Sequence, residues 1–202
     1  MKNIFHGWSV INHLTLEKVV DLVLTNGTPD SIESDNWILD IIKRNVTNNS
    51  KILDFGVGVG RNIFKFSLKA PDLSFIGYDN INMLEFTSKY CNHVFGKSPI
   101  DFKNIKLEHD WSILKNEKFG CVYATIVFQH IYEEDLKIYI EDIKKMTNLL
   151  IVAGRGFNDD NKKITWKILE RCGLYPINAS EVNYSSDDPN EHITCVYNLT
   201  DV

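Results

Sequence analysis

The chain has 202 residues, 44% of them hydrophobic and 24% charged, which is the make-up of a globular protein and the length of one domain with a short extension. Its 22 lysines and arginines stand against 27 acids for a net charge of −5, and the basic residues are scattered in short pairs such as Lys43-Arg44 and Lys144-Lys145. That distribution argues against a general grip on nucleic acid or on an anionic membrane surface, because both need clustered positive charge.

The first residues, MKNIFHGWSVINHL, carry one lysine and no uninterrupted apolar core, so no secretory leader is expected. No apolar run approaches the length of about 18 residues that a spanning helix needs. A helix is expected from Thr15 to Leu24, with Thr15 as its N-cap and a stop at Asn26-Gly27. A second runs from about Ser34 to Val46, with Trp37, Ile38, Ile41 and Ile42 on one face. Residues 1–50 thus read as a helical N-terminal extension, and 51–202 as the main domain.

The main domain opens on KILDFGVGVGR, Lys51 to Arg61. An apolar run breaks into glycines at Gly56, Gly58 and Gly60, and a helical pattern follows at once. This is the profile of a buried strand, a tight turn and a helix N-terminus, in which glycine lets a ligand approach the main chain. The spacing is G-x-G-x-G, and Asp54 precedes it. A carboxylate there would repel the pyrophosphate of a dinucleotide and favour a ligand bearing an ammonium group.

Further apolar runs lie at 73–78, 104–108, 119–127 and 148–153, alternating with helical patterns at 61–69, about 82–92 and 133–146. That order predicts a parallel sheet covered on both faces. A helix at about 164–171 follows, then two strand-like pieces, 174–177 and 193–199, expected to pair as an antiparallel hairpin at the sheet edge. The fold class is therefore α/β, with a doubly wound, mostly parallel seven-stranded sheet.

Acidic residues recur where strands end. Asp79 closes the second run and can accept hydrogen bonds from both hydroxyls of a ribose, with Asn80 beside it; the competing reading is a helix N-cap. Asp110-Trp111 follow the third run. The Asp110 carboxylate can accept from an adenine amine and Trp111 can pack on its plane, or the pair can simply cap and bury a short helix. The fourth run ends in ATIVFQHI, which sets His130 where a crevice ligand would lie. With an ordinary pKa of about 6.5, His130 could take a proton, or else order its own turn through the backbone. Arg155, after the fifth strand, could hold an anionic group in a bidentate contact.

Asp54, Gly56, Gly58 and Gly60 match D-x-G-x-G-x-G, and this stretch resembles the first motif of the class I S-adenosylmethionine-dependent methyltransferase family. Phe128-Gln129-His130 resembles a V-x-Q-H-I segment found in many of its small-molecule members. The likeness covers residues 50–156 by motif and the rest by strand order. It implies a Rossmann-like fold and S-adenosylmethionine as cofactor, held by Asp54, the three glycines, Asp79, Asn80, Met83, Asp110, Trp111 and Phe128. It also implies metal-independent, in-line methyl transfer to a hydroxyl or amine of a small molecule, with His130 as base and Arg155 and Trp8 toward the acceptor. Trp8 belongs to the cluster Phe5-His6-Gly7-Trp8, which reads as a lid over the site or as packing for the second helix.

Two positions depart from the family pattern. Gly120 stands where an acid is frequent, and there is no D/N-P-P-[YF] element, the signature of methylation at base and amide nitrogens. The four cysteines, Cys91, Cys121, Cys172 and Cys195, show no C-x-x-C spacing, which suits a reduced, cytoplasmic protein. Two other readings stand beside this one. A non-catalytic binder of S-adenosylmethionine or of a protein partner would keep the same motifs. A nicotinamide-dependent oxidoreductase is disfavoured by the glycine spacing and by Asp54.

Overall fold

The computed structural model describes residues 15–18, 33–155, 163–179 and 192–200. The elements run α1 (Glu33–Asn45), β1 (Lys51–Phe55), α2 (Arg61–Lys69), β2 (Ser74–Tyr78), α3 (Ile81–Phe95), β3 (Ile105–Glu108), α4 (Trp111–Leu114), β4 (Cys121–Thr125), α5 (Glu133–Met146), β5 (Leu149–Arg155), α6 (Lys163–Arg171), β6 (Asn178–Ala179) and β7 (His192–Asn198). Short 3-10 turns lie at Pro99–Asp101 and Phe128–His130. Near the N-terminus, the Lys18 amide donates to Thr15 Oγ1 at 3.3 Å, which is the expected cap. Trp8 and the rest of the proposed lid lie outside the described residues.

The seven strands form one sheet in the order β3-β2-β1-β4-β5-β7-β6. The first five are mutually parallel, and β7 runs antiparallel to both β5 and β6. This is the expected α/β class, with β7 inside the sheet and the short β6 at its edge.

Alternation along the strands splits the core in two. Leu53, Phe55, Val122, Ala124, Leu150 and Val152 point to one face, against Leu136, Ile140 and Ile143 of α5 and Trp166, Ile168 and Leu169 of α6. Ile52, Cys121, Tyr123 and Ile151 point to the other, against Ile38 and Ile42 of α1, Ile63 and Phe64 of α2, and Phe86 and Tyr90 of α3. Both faces are covered by helices, which is why the strand sequences are nearly continuous in apolar residues.

Two boundaries differ from expectation. The fourth strand ends at Thr125 rather than 127, because Ile126 adopts φ 60° and turns the chain out of the sheet. The sixth pairs at Asn178–Ala179 rather than at 174–177. There the Leu174 amide is still bonded to Leu169 O (2.9 Å), closing α6 through Gly173 at φ 77°. Pro176 has no N–H to give, so contact with the sheet begins only when Ile177 N reaches Val196 O at 2.8 Å.

Candidate active site

From β1 the chain builds outward through β2 to β3, then returns to lay β4 on the other side of β1. The seam between β1 and β4 is therefore the switch point of the sheet, and its carboxyl end is where open α/β sheets form a crevice. The glycine turn leaves β1 there, and the Phe128–His130 turn leaves β4 beside it.

The glycine turn is held on all sides. The Gly56 and Val57 amides both donate to Tyr78 O, at 2.8 and 3.0 Å. Gly56 has φ 77°, and a Cβ built on it would lie 2.3 Å from Val127 Cγ2. Only glycine permits both that backbone and that approach. The Gly58 amide donates to Asp79 Oδ2 at 2.9 Å, and the Gly58 carbonyl accepts from Thr87 Oγ1 at 2.6 Å. Yet a Cβ at Gly58 would meet nothing within 4 Å. The Gly58 peptide is thus fixed at both ends while its α-carbon faces open space, the form of a main-chain cradle. Gly60 forms the N-cap of α2.

Three carboxylates stand at or just beyond the carboxyl ends of β1, β2 and β3, in different settings. Asp54 is buried beneath the glycine turn, and Tyr123 Oη donates to Asp54 Oδ2 at 2.7 Å. Asp79, also buried, accepts from Gly58 N on one oxygen and from Asn80 N and Asn80 Nδ2 on the other, at 2.8 and 3.0 Å. Burial pushes the Asp79 carboxyl up to about 7 against the opposing pull of the Gly58 and Asn80 hydrogen bonds. The cap of α3 falls to Asn80, whose Oδ1 accepts from Met83 N at 3.0 Å, so Asp79 is not spent as the cap. Met83 itself is buried in the core beneath.

Asp110 is exposed and does cap α4, accepting from Ser112 N at 2.9 Å. The Ser112 hydrogen bonds hold its carboxyl below the usual range. The Trp111 ring is buried with centroids of Phe55, Tyr78 and Tyr139 at 5.3, 5.1 and 4.9 Å, and its Nε1 donates to Asp142 Oδ2 at 2.9 Å. It belongs to the core. Phe128 is likewise buried, edge-on to Phe55 at 5.5 Å. His130 is half-buried, with Nε2 lying 3.4 Å from Gln129 Nε2. Arg155 ends β5 opposite His192; its side chain lies outside the described residues.

No family model matches the chain, and no curated protein matches it in sequence. Solved structures do match in shape. Magnesium protoporphyrin IX methyltransferase from Synechocystis PCC 6803, solved with bound SAH, superposes with a TM-score of 0.62 at 12% identity, over 87% of this chain and 86% of its own. A SAM-dependent methyltransferase from Aquifex aeolicus gives 0.63 at 14% identity, over 91% and 98%. The methyltransferase domain of bacterial CtHen1-C gives 0.63 at 14%, over 87% and 98%. The fold is that of the class I methyltransferases.

Within this fold, several further residues near the carboxyl ends of the strands were not legible as candidates for the site. Thr87, fully buried on α3, clamps Gly58. Glu108, at the end of β3, accepts the amides of His109 and Asp110 at 2.9 and 3.0 Å and so shapes the turn that presents Asp110. Asn62 on α2 is buried, with Nδ2 at 3.4 Å from Thr125 Oγ1 across the switch seam. Ile81 is half exposed immediately after Asp79-Asn80. The only advance signal was position: each lies next to a strand's carboxyl end or on a helix that packs there. Among the described residues, no group of three or more His, Cys, Asp and Glu could hold a metal ion, and no helix is long and apolar enough to cross a membrane.

Proposed function

We propose that the protein is an S-adenosylmethionine-dependent methyltransferase acting on a hydroxyl or amine of a small molecule. The observation that carries this reading is the Gly58 cradle, a clamped glycine peptide with open space at its α-carbon, flanked by the Asp79 carboxylate. The donor set suits the cofactor. Asp79 would accept from the ribose hydroxyls, with Asn80 setting its orientation, and Ile81 offers an apolar surface alongside. Asp110 would accept from the adenine amine while the Trp111 amide donates to the ring. Asp54, under the turn, contributes negative charge in a poorly screened setting that favours a cationic ligand.

When bound, S-adenosylmethionine supplies a methyl group already activated by its sulfonium. What the chain must add is alignment of the acceptor and a place for its proton. His130, at the carboxyl end of β4, is the group for that proton, and Gln129 beside it holds the ring's orientation. Arg155 and Trp8 are assigned to the acceptor side. The acidic net charge and scattered basic residues favour a small molecule over nucleic acid as acceptor.

Calorimetry with S-adenosylmethionine, S-adenosylhomocysteine and NAD tests the donor site; tighter binding of NAD sinks the reading. Acceptors are then screened with labelled donor, and His130→Ala is expected to lower turnover by about 100-fold or more, the usual contribution of a general base. Unchanged turnover in that variant removes His130 from the role.

A further inference from the structure

We propose that Thr87 is a positioning residue of the donor site, whose hydroxyl fixes the Gly58 carbonyl so that α3 holds the glycine turn and the Asp79 carboxylate as one unit. The inference rests on the donor-site reading above. Gly58 is gripped from both ends. Its amide donates to Asp79 Oδ2 at 2.9 Å, one residue ahead of the Asn80 cap of α3. Its carbonyl accepts from Thr87 Oγ1 at 2.6 Å, about two turns farther along the same helix. A shift of α3 would therefore carry the cradle and the Asp79 carboxylate together.

The two branches of the Thr87 side chain have separate tasks. Thr87 Oγ1 also lies 3.0 Å from Met83 O, but a hydroxyl has one proton to donate. Met83 O, four residues back, sits within the helical ladder, where an amide serves it. Gly58 O is the nearer acceptor and lies in the turn, so it is the one that depends on the hydroxyl. The other branch packs on Gly60, where an added Cβ would come 2.9 Å from Thr87 Cγ2. Thr87 is fully buried, so a carbonyl that lost this partner would pay for it in full. Serine would keep the hydroxyl and lose the contact with Gly60. Valine would keep the shape and lose the hydrogen bond. The Gly58 peptide would then be free to turn, and the cradle would no longer stand in register with Asp79.

The test compares wild type, Thr87→Val and Thr87→Ser. Thermal unfolding of each fixes a temperature at which all are folded, and calorimetric titration with S-adenosylhomocysteine follows there. Thr87→Val is expected to bind at least about 10-fold more weakly, the scale of one lost hydrogen bond. Thr87→Ser is expected to unfold about 2–4 °C lower, for its missing methyl, yet to bind within about threefold of wild type. If Thr87 only filled space, affinity would follow shape and Thr87→Ser would be the weaker binder. That order overturns the inference, as does Thr87→Val binding as wild type. Should Thr87→Val fail to fold, Thr87→Ala is set against Thr87→Ser, a pair that differs by the hydroxyl alone; equal affinity in that pair also overturns it. Wild type that binds no S-adenosylhomocysteine defeats the donor reading itself, a separate outcome.

Discussion

Asp79 and Asp110 are carboxylates just beyond the ends of neighbouring strands, and their surroundings push them in opposite directions. Exposed Asp110 is held low by Ser112, whereas burial raises Asp79 to about 7. A raised carboxyl pKa means the folded chain holds a proton that the unfolded chain has already released. The stabilisation from Asp79 is therefore complete below its ordinary value of 3.8 and is lost as pH rises through about 7. Ligand binding runs the other way. Ribose hydroxyls donate to the ionised carboxylate, so affinity for S-adenosylhomocysteine is expected to rise from about pH 6 to about pH 8, by up to about 10-fold per unit on the acid side. Calorimetry across that range checks it. The slope should vanish in Asp79→Asn, and a wild-type affinity independent of pH would contradict the assignment.

At the scale of elements, the two turns that meet at the switch seam behave as one part. Gly56→Ala places a methyl 2.3 Å from Val127 Cγ2 at φ 77°, and is expected to cost about 2–4 kcal/mol from left-handed strain and overpacking together. Val127→Ala opens space at the same contact. The double variant should be less destabilised than the sum of the singles, by about 1 kcal/mol in a denaturation cycle. Strict additivity would mean that the turns do not bear on each other.

The same seam marks how far the sequence could be read. β1, α5 and the glycine turn were plain, because a buried run, a helical period and three glycines each have a local physical cause. The end of β4 was not, because nothing in Thr125-Ile126-Val127 distinguishes a strand from a left-handed turn. The contact of Val127 with Gly56, far away in sequence, decides it. Trp111 shows the reverse limit. Its place after a strand end left it open between the ligand and the core, and the aromatic cluster of Phe55, Tyr78 and Tyr139 claims the ring for the core. Thr87 was invisible because its role depends on how α3 lies across the turn.

For the whole molecule, the sheet separates two apolar layers and carries reporters of its own opening. Cys91 on α3, Cys121 on β4 and Cys195 on β7 are all buried free thiols. Burial pushes Cys91 and Cys195 up to about 11 and Cys121 higher still, so none offers a thiolate near neutral pH until its surroundings open. Cys172 is only half-buried and should react first with a thiol reagent. Cys121 pairs in register with Ile52, on the seam from which both turns emerge, whereas Cys195 stands opposite Val152 on the far side of β5. Local openings of a sheet need not be uniform. Saturating S-adenosylhomocysteine should therefore slow labelling of Cys121 more than that of Cys195, resolved by peptide mass spectrometry. Equal slowing at both would mean that the sheet opens as a single unit. Unequal slowing would make one buried sulfur a gauge of how tightly the ligand stitches the two halves of the sheet together.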